Sequence, residues 1–255
     1  MRLVGIQKLL NSEKFTDKKS GILLPIGVDD KDKIVFCDLK STGGILVGGA
    51  TGSGKSTFMY STVTGLISNY SPEQVKFILI DSKRVEFHRY DKSEYLLTGV
   101  IHETEKARNA LRWVLAEISH RFGEFGKERV ITIDKYNSDS RHKLPLIFVL
   151  IDELSDLMYA ERSFFEKNIA QIASIGQVAG VYIIVATSRP DPKHIFTPEL
   201  RKAFRVKIAF QTASENDSRA TIGKKGAEKL AGNGEMLYLC NGRINKLQGF
   251  FTESS

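Results

Sequence analysis

Residues 48–57 read GGATGSGKST, and Gly49, Gly52, Gly54, Lys55 and Ser56 within them carry the spacing G-x-x-x-x-G-K-S. Glycines so placed let the backbone take angles closed to other residues, and successive N–H groups then turn inward around an anion. A helix starting directly after them aims the positive end of its dipole at the same point. Lys55 would set a point charge on the β- and γ-phosphates of a nucleoside triphosphate, and the Ser56 hydroxyl would ligate Mg²⁺. The expected cradle is Gly49, Ala50, Thr51, Gly52, Ser53, Gly54, Lys55, Ser56 and Thr57, and the expected ligands are ATP and Mg²⁺. A glycine-rich turn formed by chance would not have an apolar run before it and a helical one after it.

A second group sits where the apolar run Leu146–Ile151 (LIFVLI) ends in Asp152 and Glu153. Carboxylates at the C-terminal end of a buried strand stand at the sheet edge where open α/β sheets bind ligands, beside the phosphate loop. Asp152 is then expected in the Mg²⁺ shell and Glu153 as the general base that polarises water. The plainer alternative is an acidic turn that opens a helix, because carboxylates favour helix N-termini. A base aimed at water indicates hydrolysis rather than phosphoryl transfer to a small molecule. Thr187 and Ser188 close the next apolar run, VYIIVA at 181–186. They would touch the γ-phosphate or the lytic water, or else simply cap the strand.

These residues need a scaffold, and the sequence supplies a periodic one. Residues 45–48, Val75–Ile80, Leu146–Ile151 and 181–186 are short, β-branched-rich and apolar on both faces, as buried parallel strands are. In 104–122 the apolar positions Ala107, Ala110, Leu111, Val114, Leu115, Ile118 and Phe122 form one helical stripe, and in 161–176 Phe165, Ile169, Ile172 and Ala173 form another. Strand–helix alternation predicts an α/β three-layer fold with a mostly parallel central sheet flanked by helices. Farther on, the pattern predicts strands at Val206–Phe210, 235–239 and 246–251, a helix near 214–222 and a glycine-rich stretch at 223–234. The polar, Lys-rich residues 1–20 read as a loosely held arm before one large domain at 21–255. The polar segment 123–145 reads as a long surface loop with room for a short helix.

Composition sets the outer limits. The 255 residues are 42% hydrophobic and 26% charged, an ordinary globular balance with enough apolar residues for a sizeable core. No apolar stretch approaches the ~18–20 residues of a membrane span, and the N-terminus has no signal-peptide pattern. Cys37 and Cys240 have no metal-ligand spacing and read as two reduced thiols of a cytoplasmic protein. The net charge of +7 and pI of 9.3 favour a polyanionic partner, nucleic acid or an anionic membrane surface.

Several blocks in order, GGATGSGKST (48–57), FILIDSK (77–83), NALRWVLAEISHRF (109–122), LPLIFVLIDELSDLM (144–158), VATSRP (185–190), KIAFQTASENDSR (207–219) and GAEKLAGNGEMLYL (226–239), resemble the FtsK/SpoIIIE DNA translocases of the FtsK–HerA group. The resemblance implies a RecA-like P-loop ATPase domain that assembles as a hexameric ring and threads double-stranded DNA through its pore. Lys55, Ser56, Asp152 and Glu153 match the family's functional positions, and Lys83 falls in its Asp-x-Lys turn without a derivable role. Residues 191–203 align with a segment that contributes a DNA-touching pore loop, in which Lys193, His194, Arg201 and Lys202 would meet phosphates without base readout. Lys127, Arg129, Lys135, Arg141 and Lys143 are a second basic candidate. Arg205 and Arg219 are candidates for an arginine supplied across a subunit boundary to stabilise transition-state charge. Three departures stand out: Ser188 where Gln is usual, Lys207 where Arg is usual, and no membrane helices, linker or DNA-orienting winged-helix domain. The expectation is a stand-alone motor of a mobile genetic element. The alternatives are a related ATPase energising conjugation or protein secretion, a small-molecule kinase, and a nucleotide-gated DNA scaffold. The kinase lacks an arginine-rich lid, and the intact site argues against the scaffold.

Overall fold

In the protein, described here by a computed structural model covering residues 4–16, 23–38 and 42–251, the apolar runs form strands and the striped runs form helices. The strands are β1 (Val4–Gly5), β2 (Leu24–Val28), β3 (Ile34–Cys37), β4 (Gly44–Gly48), β5 (Val75–Ile80), β6 (Leu146–Ile151), β7 (Val181–Thr187), β8 (Val206–Phe210), β9 (Glu235–Cys240), β10 (Arg243–Gln248) and β11 (Phe250–Phe251). The helices are α1 (Gln7–Leu10), α2 (Glu13–Thr16), α3 (Lys55–Asn69), α4 (Thr104–Lys127), α5 (Ile133–Asp139), α6 (Leu154–Ile175), α7 (Pro198–Ala203) and α8 (Glu215–Ile222).

Nine strands make one sheet in the order β3-β2-β10-β9-β8-β4-β7-β6-β5. From β8 to β5 every pairing is parallel; from β8 to β3 every pairing is antiparallel. The alternation of side chains splits the parallel strands between two apolar layers. Val47, Phe77, Leu79, Phe148, Leu150 and Ile184 pack on one face with Phe58, Met59, Val63 and Leu66 of α3. Leu46, Ile78, Ile80, Val149, Ile151 and Val185 pack on the other with residues of α4, α6 and α7. Both faces are covered, which is why these strands carry no polar alternation.

Four expectations change. Residues 4–16 are not loose: β1 runs parallel to β11, Leu9 and Phe15 are buried in the α3 layer, and Asn69 Nδ2 donates to Phe15 O (2.5 Å). The antiparallel pair β2–β3 was not foreseen, because its strands are short and joined by the polar turn 29–33. Segment 123–145 is folded rather than a long loop: α4 continues to Lys127, and Phe125 packs with Ile133 and Tyr136 of α5 in a cluster of their own. Phe122 is exposed, and the α4 stripe continues instead through Arg121 and Phe125. Arg121 is buried with partners for much of its guanidinium: Nε meets Glu117 Oε1 (2.7 Å) and Nη1 donates to Pro145 O and Ala179 O (2.9 Å each), tying α4 to the chain ahead of β6 and β7.

Candidate active site

Strand register fixes the site. Gly48 of β4 lies level with Thr187 of β7, Ile151 of β6 with Val185, and Ile80 of β5 with Ile151. The phosphate loop, Thr187–Ser188, Asp152–Glu153 and Asp81 therefore leave the sheet along one edge. The acidic pair is not immediately beside the phosphate loop as expected, because β7 runs between β4 and β6. That intervening strand brings Thr187 and Ser188 to Glu153.

The loop turns as its glycines require: Gly52 has φ 77° and Gly54, which precedes α3, has φ 118°. It is tied to the antiparallel half of the sheet. Ala50 N donates to Gln211 O (2.7 Å), and Gly234 N donates to Ser53 O (3.0 Å). A Cβ on Gly54 would stand 2.8 Å from Gly234 Cα, so a side chain at position 54 would collide with backbone. Lys55 is buried, and its Nζ donates to Ala50 O (2.9 Å). Burial lowers its pKa, against the opposing pull of Glu153 and Asp152. Ser53 Oγ is buried and meets no partner among the described residues. Ser56 and Thr57 open α3 and are partly exposed. A hollow of about 250 Å³ lies against them, walled also by Gly54, Asn233, Gln248 and Phe251. A larger apolar groove, about 560 Å³ between residues 97–101 and α4, lies out by the β5 edge strand and holds none of these groups.

Glu153 occupies the N-cap position of α6, yet its side chain makes no capping bond. The turn does open a helix, as the plainer reading has it, but the Glu153 carboxylate is also bonded to groups after β5 and at the end of β7. Its Oε1 accepts from Thr187 Oγ1 (2.5 Å), Ser155 Oγ (2.8 Å) and Ser188 N (3.1 Å); its Oε2 accepts from Ser188 Oγ (2.6 Å), Lys83 Nζ (3.0 Å) and Ser188 N (3.2 Å). Burial opposes ionisation of this carboxyl, but the hydrogen bonds from Ser188, Thr187, Lys83 and Ser155 outweigh it and hold the pKa at about 2. Its neighbour goes the other way. Burial, with Glu86, Asp81 and Glu153 close by, pushes Asp152 up to about 7, and Lys83 only partly offsets them. Two adjacent carboxyls are thus shifted in opposite directions by their surroundings.

The other candidates are spread out. The segment from β7 to β8 must cross from the C-terminal to the N-terminal edge of the parallel sheet. Lys193 and His194 are exposed near its start, in a turn where Asp191 Oδ1 accepts from both backbone N–H groups (2.7 and 3.0 Å). Arg201, Lys202 and Arg205 fall near its end, at the edge away from the phosphate loop, and Lys202 and Arg205 line one hollow there. The four DNA-contact candidates thus do not form one patch. The 127–143 segment also feeds β6 from that far edge, with Lys127 paired to Glu124 and Lys135 to Asp139. Arg219 lies on α8, which packs on β4 and β8, and its guanidinium is held by Glu215 Oε1 (2.7 and 3.0 Å). Within one chain, Arg205 starts at the wrong edge to reach the phosphate loop.

Sequence reasoning left Lys83 without a role and missed Asn233, Gly234, Gln248 and Phe251. The glycine-rich run 232–234 was a signal for a close backbone approach, but only the fold shows what it approaches.

Residues 5–143 match the family model of the FtsK/SpoIIIE family. The DNA translocase SftA of Bacillus subtilis (strain 168) is 37% identical over 98% of this chain, which corresponds to 27% of that protein. A DNA translocase FtsK from Caldanaerobacter subterraneus subsp. tengcongensis is 36% identical over 92% of the chain and 33% of that protein. The chain therefore spans about a third or less of the length of these curated relatives. Among solved structures, the pCW3 conjugation coupling protein TcpA, monomer form with ATPgS, is similar with a TM-score of 0.80 at 21% identity, over 98% of this chain and 70% of that one. At that identity the likeness speaks for the P-loop ATPase fold alone. No helix among the described residues is long and apolar enough to cross a membrane.

Proposed function

The chain belongs to the FtsK/SpoIIIE family, and from that membership we propose that it is an ATP-hydrolysing motor that moves double-stranded DNA as a homo-oligomeric, six-membered ring. The observation that carries the hydrolysis half is Glu153, buried and held by Thr187, Ser188 and Lys83 on the sheet edge that also bears the phosphate loop. The DNA half draws support from relatives named as DNA translocases and from the net charge of +7.

The triphosphate displaces Ala50 O as the partner of Lys55 Nζ and fills the nest at 49–54. The residues suit Mg²⁺. No cluster of three or more His, Cys, Asp or Glu among the described residues is arranged to hold a metal unaided, and Mg²⁺ normally takes one or two carboxylates together with phosphate and water oxygens. Ser56 and Asp152 would hold it, and a nearby cation would favour Asp152 in the ionised form that its acidic neighbours resist. The ion would neutralise charge developing on the β- and γ-phosphates. Glu153 takes a proton from the attacking water, and Lys55 and the loop N–H groups stabilise the transferred phosphoryl.

The base and ribose take the hollow walled by Asn233, Gln248 and Phe251. Phe251→Ala is expected to weaken ADP and ATPγS alike by roughly tenfold, the scale of one lost base–aromatic stack. Unchanged affinity for both would put the base elsewhere. Isothermal titration reads this directly.

ATPase assays with and without random-sequence duplex test the motor reading, and absence of stimulation by DNA at any salt would sink it. DNA binding should weaken with salt at a log–log slope of about −0.9 per neutralised phosphate and ignore sequence. The exposed pair Lys193 and His194 should matter more than Arg201, whose buried Nε lies near Lys207. Lys193→Ala with His194→Ala is expected to flatten the slope by roughly one unit. The pair Arg201→Ala with Lys202→Ala should change it less. Identical slopes for wild type and both double variants would remove 191–203 from the DNA path in favour of the basic segment at 127–143.

A further inference from the structure

Hydrolysis by Lys55, Asp152 and Glu153 leaves unused the lysine of the turn after β5. That turn is built without the lysine's charge. Asp81 is fully buried, and its Oδ2 accepts from Glu86 N (2.8 Å) and Phe87 N (3.1 Å). Its carbonyl accepts from Arg84 N (3.3 Å), and Phe87 anchors the turn in the core. The backbone of residue 83 is therefore set by Asp81 and Phe87. The Lys83 side chain, 49% exposed, stretches from this fixed point to Glu153, which is 4% exposed.

The carboxylate it reaches is saturated. Six donor contacts from Lys83, Ser155, Thr187 and Ser188 fall on Glu153. An ionised carboxylate offers about four lone-pair directions, so no acceptor site is left for the O–H of an attacking water. A base so arranged must shed a donor before it works. Thr187 is fully buried, Ser188 holds on through its backbone N–H as well as a short uncharged hydroxyl, and Ser155 belongs to the first turn of α6. Lys83 alone among the four has a long, half-exposed stem, and it alone carries a charge. A γ-phosphate, with more negative charge than a carboxylate, is the better partner for an ammonium.

We propose that Lys83 is a positioning residue for Glu153: it rests on Oε2 while the γ-phosphate position is empty and transfers to the γ-phosphate oxygens when ATP binds, uncovering Oε2 for the lytic water. The assignment rests on the ATPase reading and adds to it a means of telling ATP from ADP. With ADP bound, Lys83 stays on Glu153 and the base remains covered.

The test compares Lys83→Met and Lys83→Arg with wild type in the full chain. Binding of Mg-ADP and Mg-ATPγS is measured by titration, and kcat and KM for ATP by steady-state assay. For Lys83→Met, ADP affinity should hold within about twofold and ATPγS affinity fall about tenfold, the worth of one charge-assisted hydrogen bond. The kcat should fall by about tenfold or more, as for a displaced base. Lys83→Arg, which keeps the charge, should restore most of the discrimination. Intact ADP binding certifies the fold. Equal loss for both nucleotides, no loss for either, or faster turnover in Lys83→Met would each overturn the proposal. Lys55→Ala serves as the control: wild-type binding and turnover there would instead bring down the ATPase reading itself.

Discussion

Lys55→Ala is expected to lose ATP hydrolysis by at least about 10²–10³-fold in kcat/KM, because the transferred phosphoryl loses a preorganised cation in a largely buried site. Nucleotide affinity should fall with it. The same variant should not be less stable without ligand. Lys55 is buried at a desolvation cost that lowers its pKa, and the carboxylates of Glu153 and Asp152 only partly repay it. Its one hydrogen bond, to Ala50 O, ties the loop to itself. Thermal unfolding without ligand should therefore match or exceed wild type, while the rise in Tm that nucleotide gives wild type is lost. A variant that hydrolyses ATP near the wild-type rate would refute the site. One that unfolds far below wild type without ligand would mean that Lys55 serves the fold more than the phosphates.

Glu153→Gln should keep ATP bound and slow turnover by about 10²–10⁴-fold, the usual contribution of a positioned base. The substitution is close to isosteric but reverses half of the hydrogen-bond pattern. The carboxylate accepts at both oxygens, whereas an amide accepts at one and presents an N–H₂ to the other set of donors. Either the Thr187–Ser155 side or the Ser188–Lys83 side of the cage then faces a donor. Removing a negative charge beside the triphosphate should leave ATP affinity equal or higher, so the signature is tight binding with failed single-turnover chemistry. Full turnover by this variant would assign the base to another residue.

The parallel half of the fold was legible because strands buried on both faces announce themselves: Val75–Ile80, Leu146–Ile151 and Val206–Phe210 have the bounds expected from hydrophobicity alone. The antiparallel extension was harder. β2 and β3 are short, and β10 (RINKLQ) exposes most of its first four residues, so neither gives a strong apolar run. α6 begins at Leu154 rather than near 161, because the break at Glu161 (φ −154°, ψ 72°) interrupts the stripe. In the site, residues tied to a motif or a strand end were readable. Lys83 meets Glu153 across a separation of 70 positions, and the wall at 248–251 meets the phosphate loop across nearly the whole domain. No local pattern records such meetings. Thr187 and Ser188 were offered equally as phosphate contacts or strand caps; Thr187 Oγ1 does accept from Arg189 N (3.1 Å) at the strand end, and both residues also donate to the Glu153 carboxylate.

The phosphate loop is fastened to strands of the opposite hand of the sheet by Ala50 to Gln211, by Ser53 to Gly234, and by the close approach of Gly54 to Gly234. Coupling of this kind runs both ways. Whatever factor bound nucleotide exerts on the position of the β9–β10 hairpin, a force or a neighbouring subunit acting on that hairpin exerts on nucleotide affinity in return.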